Sequence, residues 1–168
     1  MLNFKELAQQ YKNELLTSVL PFWLEHSQDK EHGGYFSCLN RDGSVYDTDK
    51  FIWLQGREVW MFSMLYNKLE KRQEWLDCAM QGAEFLKQYG HDGHYNWYFS
   101  VTREGAPIVE PYNIFSYTFA TMAFGQLSIA TGKQEYIDIA IKTFDKILDK
   151  QSNPKGKCCL LYTSPSPR

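Results

Sequence analysis

The chain has 168 residues, long enough for one domain with a sizeable core. Its composition is that of a globular protein, with 43% hydrophobic and 23% charged residues and a mean hydropathy of −0.48. A formal net charge of −2 and a pI near 6.1 exclude an electrostatic case for nucleic acid or an anionic membrane surface as partner.

At the N-terminus, Met1-Leu-Asn-Phe-Lys5 leads into an amphipathic pattern with no signal-peptide core, and no apolar run spans a bilayer. The cytoplasm is therefore the expected compartment. Phe4, Leu7, Ala8, Tyr11, Leu15 and Leu16 recur at helical spacing and predict a first helix, bent or broken near Pro21. Next, Tyr35-Phe-Ser-Cys-Leu-Asn-Arg-Asp-Gly43 and Val45-Tyr46 predict a small β-hairpin turning at Asp42-Gly43. Helices are expected over 50–69 and 73–89. A second hairpin follows around Glu104-Gly105, between Tyr98 and Val109, then helices over 114–130 and 134–150. Gly132 supplies the break between the last two, and Tyr136, Ile139, Ala140, Thr143 and Ile147 make the apolar stripe of the final one.

These elements form a repeat. Tyr35-Phe-Ser…Gly43 recurs as Tyr98-Phe-Ser…Gly105, and Arg72-Gln-Glu-Trp-Leu-Asp-Cys-Ala79 recurs as Lys133-Gln-Glu-Tyr-Ile-Asp-Ile-Ala140. Two landmarks in the same order mark a structural repeat, each unit a helical hairpin with a β-turn appendage. Five helices in all are expected. Stacked helical hairpins build either an open solenoid or a closed α/α barrel.

The most informative segment is Phe51-Ile-Trp-Leu-Gln-Gly-Arg-Glu-Val-Trp60. Trp53, Arg57 and Trp60 fall on one helix face. A guanidinium there either pairs with a neighbouring carboxylate or lines a polar pocket, with Trp53 as a platform one turn away. At the repeat offset, Trp53 and Arg57 correspond to Phe115 and Phe119. The latter two are then expected on the same inner wall if the units pack equivalently, although residue spacing alone favours plain core packing. Aromatic residues make up 16% of the chain. Most of them fill a helical core, and the excess lends weak support to a sugar-stacking surface.

Other chemistry is sparse. Cys38 and Cys78 read as small buried hydrophobes, and Cys158-Cys159 lacks zinc-site spacing. His91-x-x-His94, flanked by Gly90 and Gly93, reads as a solvated turn rather than a metal site. Asp47 and Asp49 read as helix-capping residues. No phosphate-cradling glycine motif occurs.

The 51–60 block, together with Asn96-Trp-Tyr-Phe-Ser100, Asn113-Ile-Phe-Ser116 and Phe119-Ala-Thr-Met-Ala-Phe124, resembles the N-terminal part of the N-acylglucosamine 2-epimerase family, also called renin-binding proteins. The resemblance runs from about Asn3 to Lys157 and is nearest to bacterial, cyanobacterial-type members. It implies an all-α fold: an incomplete (α/α)6 barrel over residues 1–157, with small β-hairpins between helices. Residues 158–168, ending Ser-Pro-Ser-Pro-Arg, are expected to be a non-native or disordered tail.

The reaction implied is inversion at C2, interconverting N-acetylglucosamine and N-acetylmannosamine. The resemblance places Arg57 at a sugar-contacting position and Trp53 in the pocket wall, with Phe115 and Phe119 added by the repeat. It places both catalytic histidines in a C-terminal half beyond these residues. None of His26, His32, His91 and His94 matches them, so no catalytic residue is assigned. No metal or cofactor is required by the resemblance, although family members often respond to ATP. The implied partner is an amino sugar, and the longer parent is expected to be a homodimer. Residues 1–168 alone are expected to be inactive and poorly soluble, oligomeric or molten. The alternatives are another α/α-barrel sugar enzyme, such as a cellobiose 2-epimerase or glycoside hydrolase, and a non-catalytic helical-repeat interaction module.

Overall fold

The computed structural model describes residues 3–111 and 114–151. It opens with a helical rod in three parts: α1 (Phe4–Glu14), a π-helical turn (Leu15–Val19) and α2 (Leu20–His26). Asn3 caps α1, its side chain accepting from the backbone N–H groups of Lys5 and Glu6. The wide turn directly precedes Pro21. A proline ring crowds the carbonyl four residues earlier and supplies no N–H, and a π turn relieves that conflict without breaking the rod. The expected stripe on α1 is not buried: Phe4 is 76% and Tyr11 69% exposed.

The remaining helices follow the expected order. α3 (Ile52–Lys68) and α4 (Gln73–Tyr89) form one hairpin, α5 (Phe115–Thr131) and α6 (Gln134–Gln151) the other. α3 packs most extensively on α5, with α4 behind α3 and α6 behind α5, so the hairpins stand side by side in two layers. Gly56 explains the close approach of α3 and α5. A Cβ there would lie 3.0–3.1 Å from Phe119 backbone and side-chain atoms. Gly132 ends α5 with φ +70° and its N–H on the Ser128 carbonyl, as a helix-terminating glycine does.

The repeat extends from the matched turns into the packing around them. Hairpin β1 (Cys38–Leu39)–β2 (Val45–Asp47) turns at Gly43, and β4 (Ser100–Val101)–β5 (Pro107–Val109) turns at Gly105, both glycines with positive φ. Each glycine presses on the ring ending the preceding helix, Gly43 on His26 and Gly105 on Tyr89. Each unit also closes a loop with a single β-bridge, Gln28 to Tyr35 and His91 to Trp97. Tyr35 and Trp97 are fully buried and reach an outer helix. The Tyr35 hydroxyl donates to the Cys78 carbonyl at 2.7 Å, and the Trp97 indole N–H to Thr143 Oγ1 at 3.1 Å.

Two expectations are corrected. The helix expected from Lys50 begins at Ile52, because Lys50 and Phe51 form a third strand, β3, paired with β4 in a sheet of order β3-β4-β5. Asp47 and Asp49 do not cap α3. The cap position is Phe51, and Asp47 accepts from the Asp49 N–H instead. The expected tail at 158–168 lies outside the described residues.

The β3 strand exists because Lys50 is drawn inward. Its ammonium and the Asp29 carboxylate are 3.0 Å apart and both fully buried. Lys50 Nζ also donates to the carbonyls of Gly33 and Arg103, at 2.7 and 2.8 Å. Arg103 donates to both Asp29 oxygens, at 2.9 and 3.0 Å, and to Glu31. Asp29 accepts further from the backbone N–H groups of Glu31 and His32. Burial alone would raise the Asp29 pKa, but Arg103 and Lys50 hold it far below the usual carboxylate range.

Removing one partner of such a pair leaves an uncompensated buried charge. Lys50→Met is therefore expected to destabilise the chain by about 3 kcal/mol, read from the urea denaturation midpoint. Because the folded Asp29 pKa is depressed, the stability it contributes is present above its ordinary titration range and drains away as pH falls below it. Acid titration of the wild type followed by circular dichroism should show this loss, and Asp29→Asn should flatten that part of the curve.

Candidate functional site

α3 carries the candidate site. Its first two turns are fixed at one end by the β3–β4 pairing and along one side by the Gly56–Phe119 approach. Trp53 is half-buried, and its ring centroid lies 6.0 Å from that of Phe119, with the planes tilted by 45°. The structure thus brings Trp53 and Phe119 together, one from each repeat unit. Phe115, one turn earlier on α5, is 45% exposed. Phe124, one turn beyond Phe119, is fully buried. Arg57 is exposed on the next turn after Trp53. Among the described residues it has no carboxylate within salt-bridge distance, so the paired-arginine reading finds no support.

On its other side Arg57 borders a cleft of about 380 Å³ between α2 and α3. Trp23, Ser37, Leu54, Arg57, Glu58 and Trp60 line it. The Ser37 hydroxyl is buried without a hydrogen-bond partner among the described residues. A cleft with two indoles, a guanidinium and an unsatisfied hydroxyl offers an apolar ring a stacking surface and a ligand oxygen its donors.

Glu58 was not singled out by sequence reasoning. Its one signal in the sequence is adjacency to Arg57. In the structure Ser27 Oγ lies 2.5 Å from Glu58 Oε1. Burial pushes the Glu58 carboxyl up to about 8, against the opposing effect of the Ser27 hydroxyl. Cys78, on α4, is buried, and burial followed by the nearby Glu58 carboxyl raises its thiol well above the usual range. Cys38 is half-buried, so of the two expected buried cysteines only Cys78 is one.

The four histidines stand apart from this cleft. His26 packs on Phe22 and Gly43, and His32 lies 3.6 Å from Glu31. His91 stacks on Tyr95 and meets Trp97 edge-on, and is half-buried rather than solvated, while His94 is exposed. Among the described residues no group of three His, Cys, Asp or Glu side chains is arranged to hold a metal ion. Nor is any described helix long and apolar enough to cross a membrane.

Comparison with known proteins bears directly on this arrangement. Residues 34–164 match the family model described as N-acylglucosamine 2-epimerase (GlcNAc 2-epimerase). The chain belongs to the N-acylglucosamine 2-epimerase family. It is 44% identical to N-acylglucosamine 2-epimerase of Mus musculus over 151 residues, covering 86% of this chain and 36% of that protein. Cellobiose 2-epimerase of Eubacterium cellulosolvens is 33% identical over 147 residues, covering 85% of this chain and 35% of the relative. Among solved structures, cellobiose 2-epimerase from Bacillus thermoamylovorans B4167 superimposes with a TM-score of 0.78 at 29% identity, over 86% of this chain and 37% of the other. The chain thus spans about a third of the length of the curated relatives it matches, and its mostly helical fold is that of a sugar 2-epimerase segment.

Because Arg57 is exposed and lacks an ion-pair partner among the described residues, its head group adds little to folding. Arg57→Ala is expected to change stability by no more than about 0.5 kcal/mol in chemical denaturation. A loss of several kcal/mol would show that the guanidinium holds the helices together instead of facing a ligand.

Proposed function

We propose that these residues form the sugar-holding wall of a 2-epimerase that interconverts N-acetylglucosamine and N-acetylmannosamine. The observation that carries this reading is Arg57, a cation without an ion-pair partner among the described residues, set between an aromatic wall and a cleft that carries indoles. The N-acyl sugar is preferred over cellobiose because identity to the N-acylglucosamine relatives exceeds that to the cellobiose relatives, 44% against 33%.

Inversion at C2 proceeds through the open-chain aldehyde, whose carbonyl acidifies the C2 proton. A base removes that proton from one face and an acid returns one to the other. The intermediate enolate carries its charge on oxygen, where a preorganised guanidinium stabilises it. In this reading Arg57 supplies that charge, and Trp53 and Phe119 wall the pocket, with Phe115 at its exposed rim. Proton transfer falls to groups outside these 168 residues, since none of the four histidines lines the cleft. The 168 residues alone therefore produce no turnover. The complete enzyme is a cytoplasmic (α/α)6-barrel homodimer that needs no cofactor, and its affinities lie with cyanobacterial-type members.

A glycoside hydrolase reading requires two carboxyl groups flanking a scissile bond. Asp47 lies exposed on β2 and accepts from the Asp49 backbone, away from Arg57, so the pair lends that reading no support.

The test is a chimera in which residues 3–151 replace the matching segment of the Mus musculus enzyme. It is expected to epimerise N-acetylglucosamine in preference to cellobiose. Arg57→Ala in the chimera should cost about 2–4 kcal/mol of transition-state stabilisation, the scale for losing one preorganised donor, read as a fall in kcat/KM. Preference for cellobiose, or an Arg57→Ala chimera with undiminished kcat/KM, would overturn the assignment.

A further inference from the structure

The cleft beside Arg57 contains one acid, and the hydrogen bonding around that acid fixes its state. Ser27 Oγ lies 2.5 Å from Glu58 Oε1 and 2.6 Å from the Trp23 carbonyl oxygen. A serine hydroxyl has a single proton. The Trp23 carbonyl also accepts from the Ser27 backbone N–H at 3.0 Å, but with Glu58 ionised the single hydroxyl proton can lie in just one of the two short contacts, and the other brings two oxygens together with no proton between them. With Glu58 protonated, the acid O–H donates to Ser27 Oγ and the Ser27 O–H donates to Trp23, so every group is satisfied. Two oxygens that close repel unless a proton lies between them, and the neutral acid, which supplies the second proton, therefore fits this geometry.

The groups that face Glu58 from neighbouring elements reinforce this. The Tyr35 hydroxyl, in the segment before β1, is fully buried, and burial, then the nearby Cys78 and Glu58 groups, raise its pKa. Cys78 on α4 is likewise held neutral by burial. On α3 itself the neighbouring charge is Arg57, exposed at the cleft edge. Ser27, which completes the chain of bonds, is fully buried at the end of α2.

We propose that Glu58 is a positioning residue that, as a neutral acid linked through Ser27 to the Trp23 carbonyl, locks α2 against α3 and leaves Arg57 as the sole charge lining the cleft among the described residues. The role rests on the reading of Arg57 as sugar-binding only for its functional consequence. The link itself is independent of any ligand. An ionised glutamate next in sequence would set a negative charge beside the guanidinium and weaken its hold on a developing oxyanion. A neutral one leaves that charge unopposed. Because the folded Glu58 pKa is raised to about 8, the stability that the link contributes is full below the ordinary glutamate range. It declines as pH rises from there through about 8.

The experiment uses the 168-residue chain with carboxyl-labelled glutamate. A carbon-detected NMR titration, with Glu58 assigned by Glu58→Gln, should place the Glu58 transition near 8, well apart from the exposed glutamates. Indole fluorescence, reporting on Trp23 and Trp60, should change over the same interval. Glu58→Gln, whose amide N–H also donates to Ser27 Oγ, should keep the thermal midpoint at pH 6.5 and abolish the fluorescence change. Glu58→Ala should lower that midpoint. A Glu58 transition in the ordinary carboxylate range, or a Gln variant as unstable as the Ala variant at pH 6.5, would overturn the proposal.

Saturation-transfer NMR with N-acetylmannosamine separates the ligand question. Binding that is present at pH 7, lost at pH 9.5 and retained at both in Glu58→Gln supports the full proposal. If Glu58 titrates high but no sugar binds at either pH, the link between α2 and α3 stands and the sugar-binding reading of Arg57 falls.

Discussion

The Asp29–Lys50–Arg103 cluster is the constraint on which the rest of this structure depends. A fully buried ion pair is expensive unless each charge finds several partners, and here each does. Asp29 gathers Lys50, Arg103 and two backbone N–H groups, while Lys50 also reaches the Gly33 and Arg103 carbonyls. The Lys50 ammonium also sits 4.3 Å from the Phe85 ring centroid, so α4 contributes to its cage. Three distant segments converge on this point: the loop after α2, the strand before α3, and the hairpin between α4 and α5. The cluster is what turns two copies of a helical hairpin into one body with a shared sheet.

From this anchor the position of the candidate site follows. Lys50 fixes where β3 ends, and α3 starts one residue beyond Phe51, so the entry of Trp53 and Arg57 into the helix is set by a charge pair. Gly56 then allows α5 to approach until Phe119 touches the α3 backbone, which places the Phe119 ring against Trp53. Gln55, buried between them, makes two hydrogen bonds with the Tyr35 backbone and ties the same turn to the preceding loop. Leu-Gln-Gly-Arg is thus a sequence of four jobs: cleft lining, a backbone clamp, close approach and an exposed cation.

The chemistry of the cleft is governed by the contrast between neighbours. Arg57 and Glu58 are adjacent on α3 and both line the cleft. One reaches solvent without a carboxylate partner among the described residues, and the other meets Ser27 at the end of α2. Pairing them would neutralise both. Holding the acid neutral by burial and hydrogen bonding keeps the cation available. That asymmetry gives the cleft a positive character in a chain whose formal net charge is −2.

Much of this protein was legible in its sequence. Helical periodicity gave α4 its observed limits and the other long helices theirs to within one or two residues. Glycine at Asp42-Gly43 and Glu104-Gly105 marked both hairpin turns, and the 51–60 block with the motifs at 96–100, 113–116 and 119–124 carried the resemblance to the family. Those features are local, arising from side-chain period, turn chemistry and residue order, and they need no knowledge of distant neighbours. The tertiary structure alone decided the rest. Nothing near Lys50 in sequence announces that it pairs with Asp29 and packs over Phe85, so a strand was read as helix. Nothing near Glu58 announces that Ser27, thirty-one residues earlier, meets its carboxyl, so the sequence did not single that acid out. Burial and charge state depend on what the folded chain brings within a few ångströms, and for these side chains that comes from elements far away in sequence.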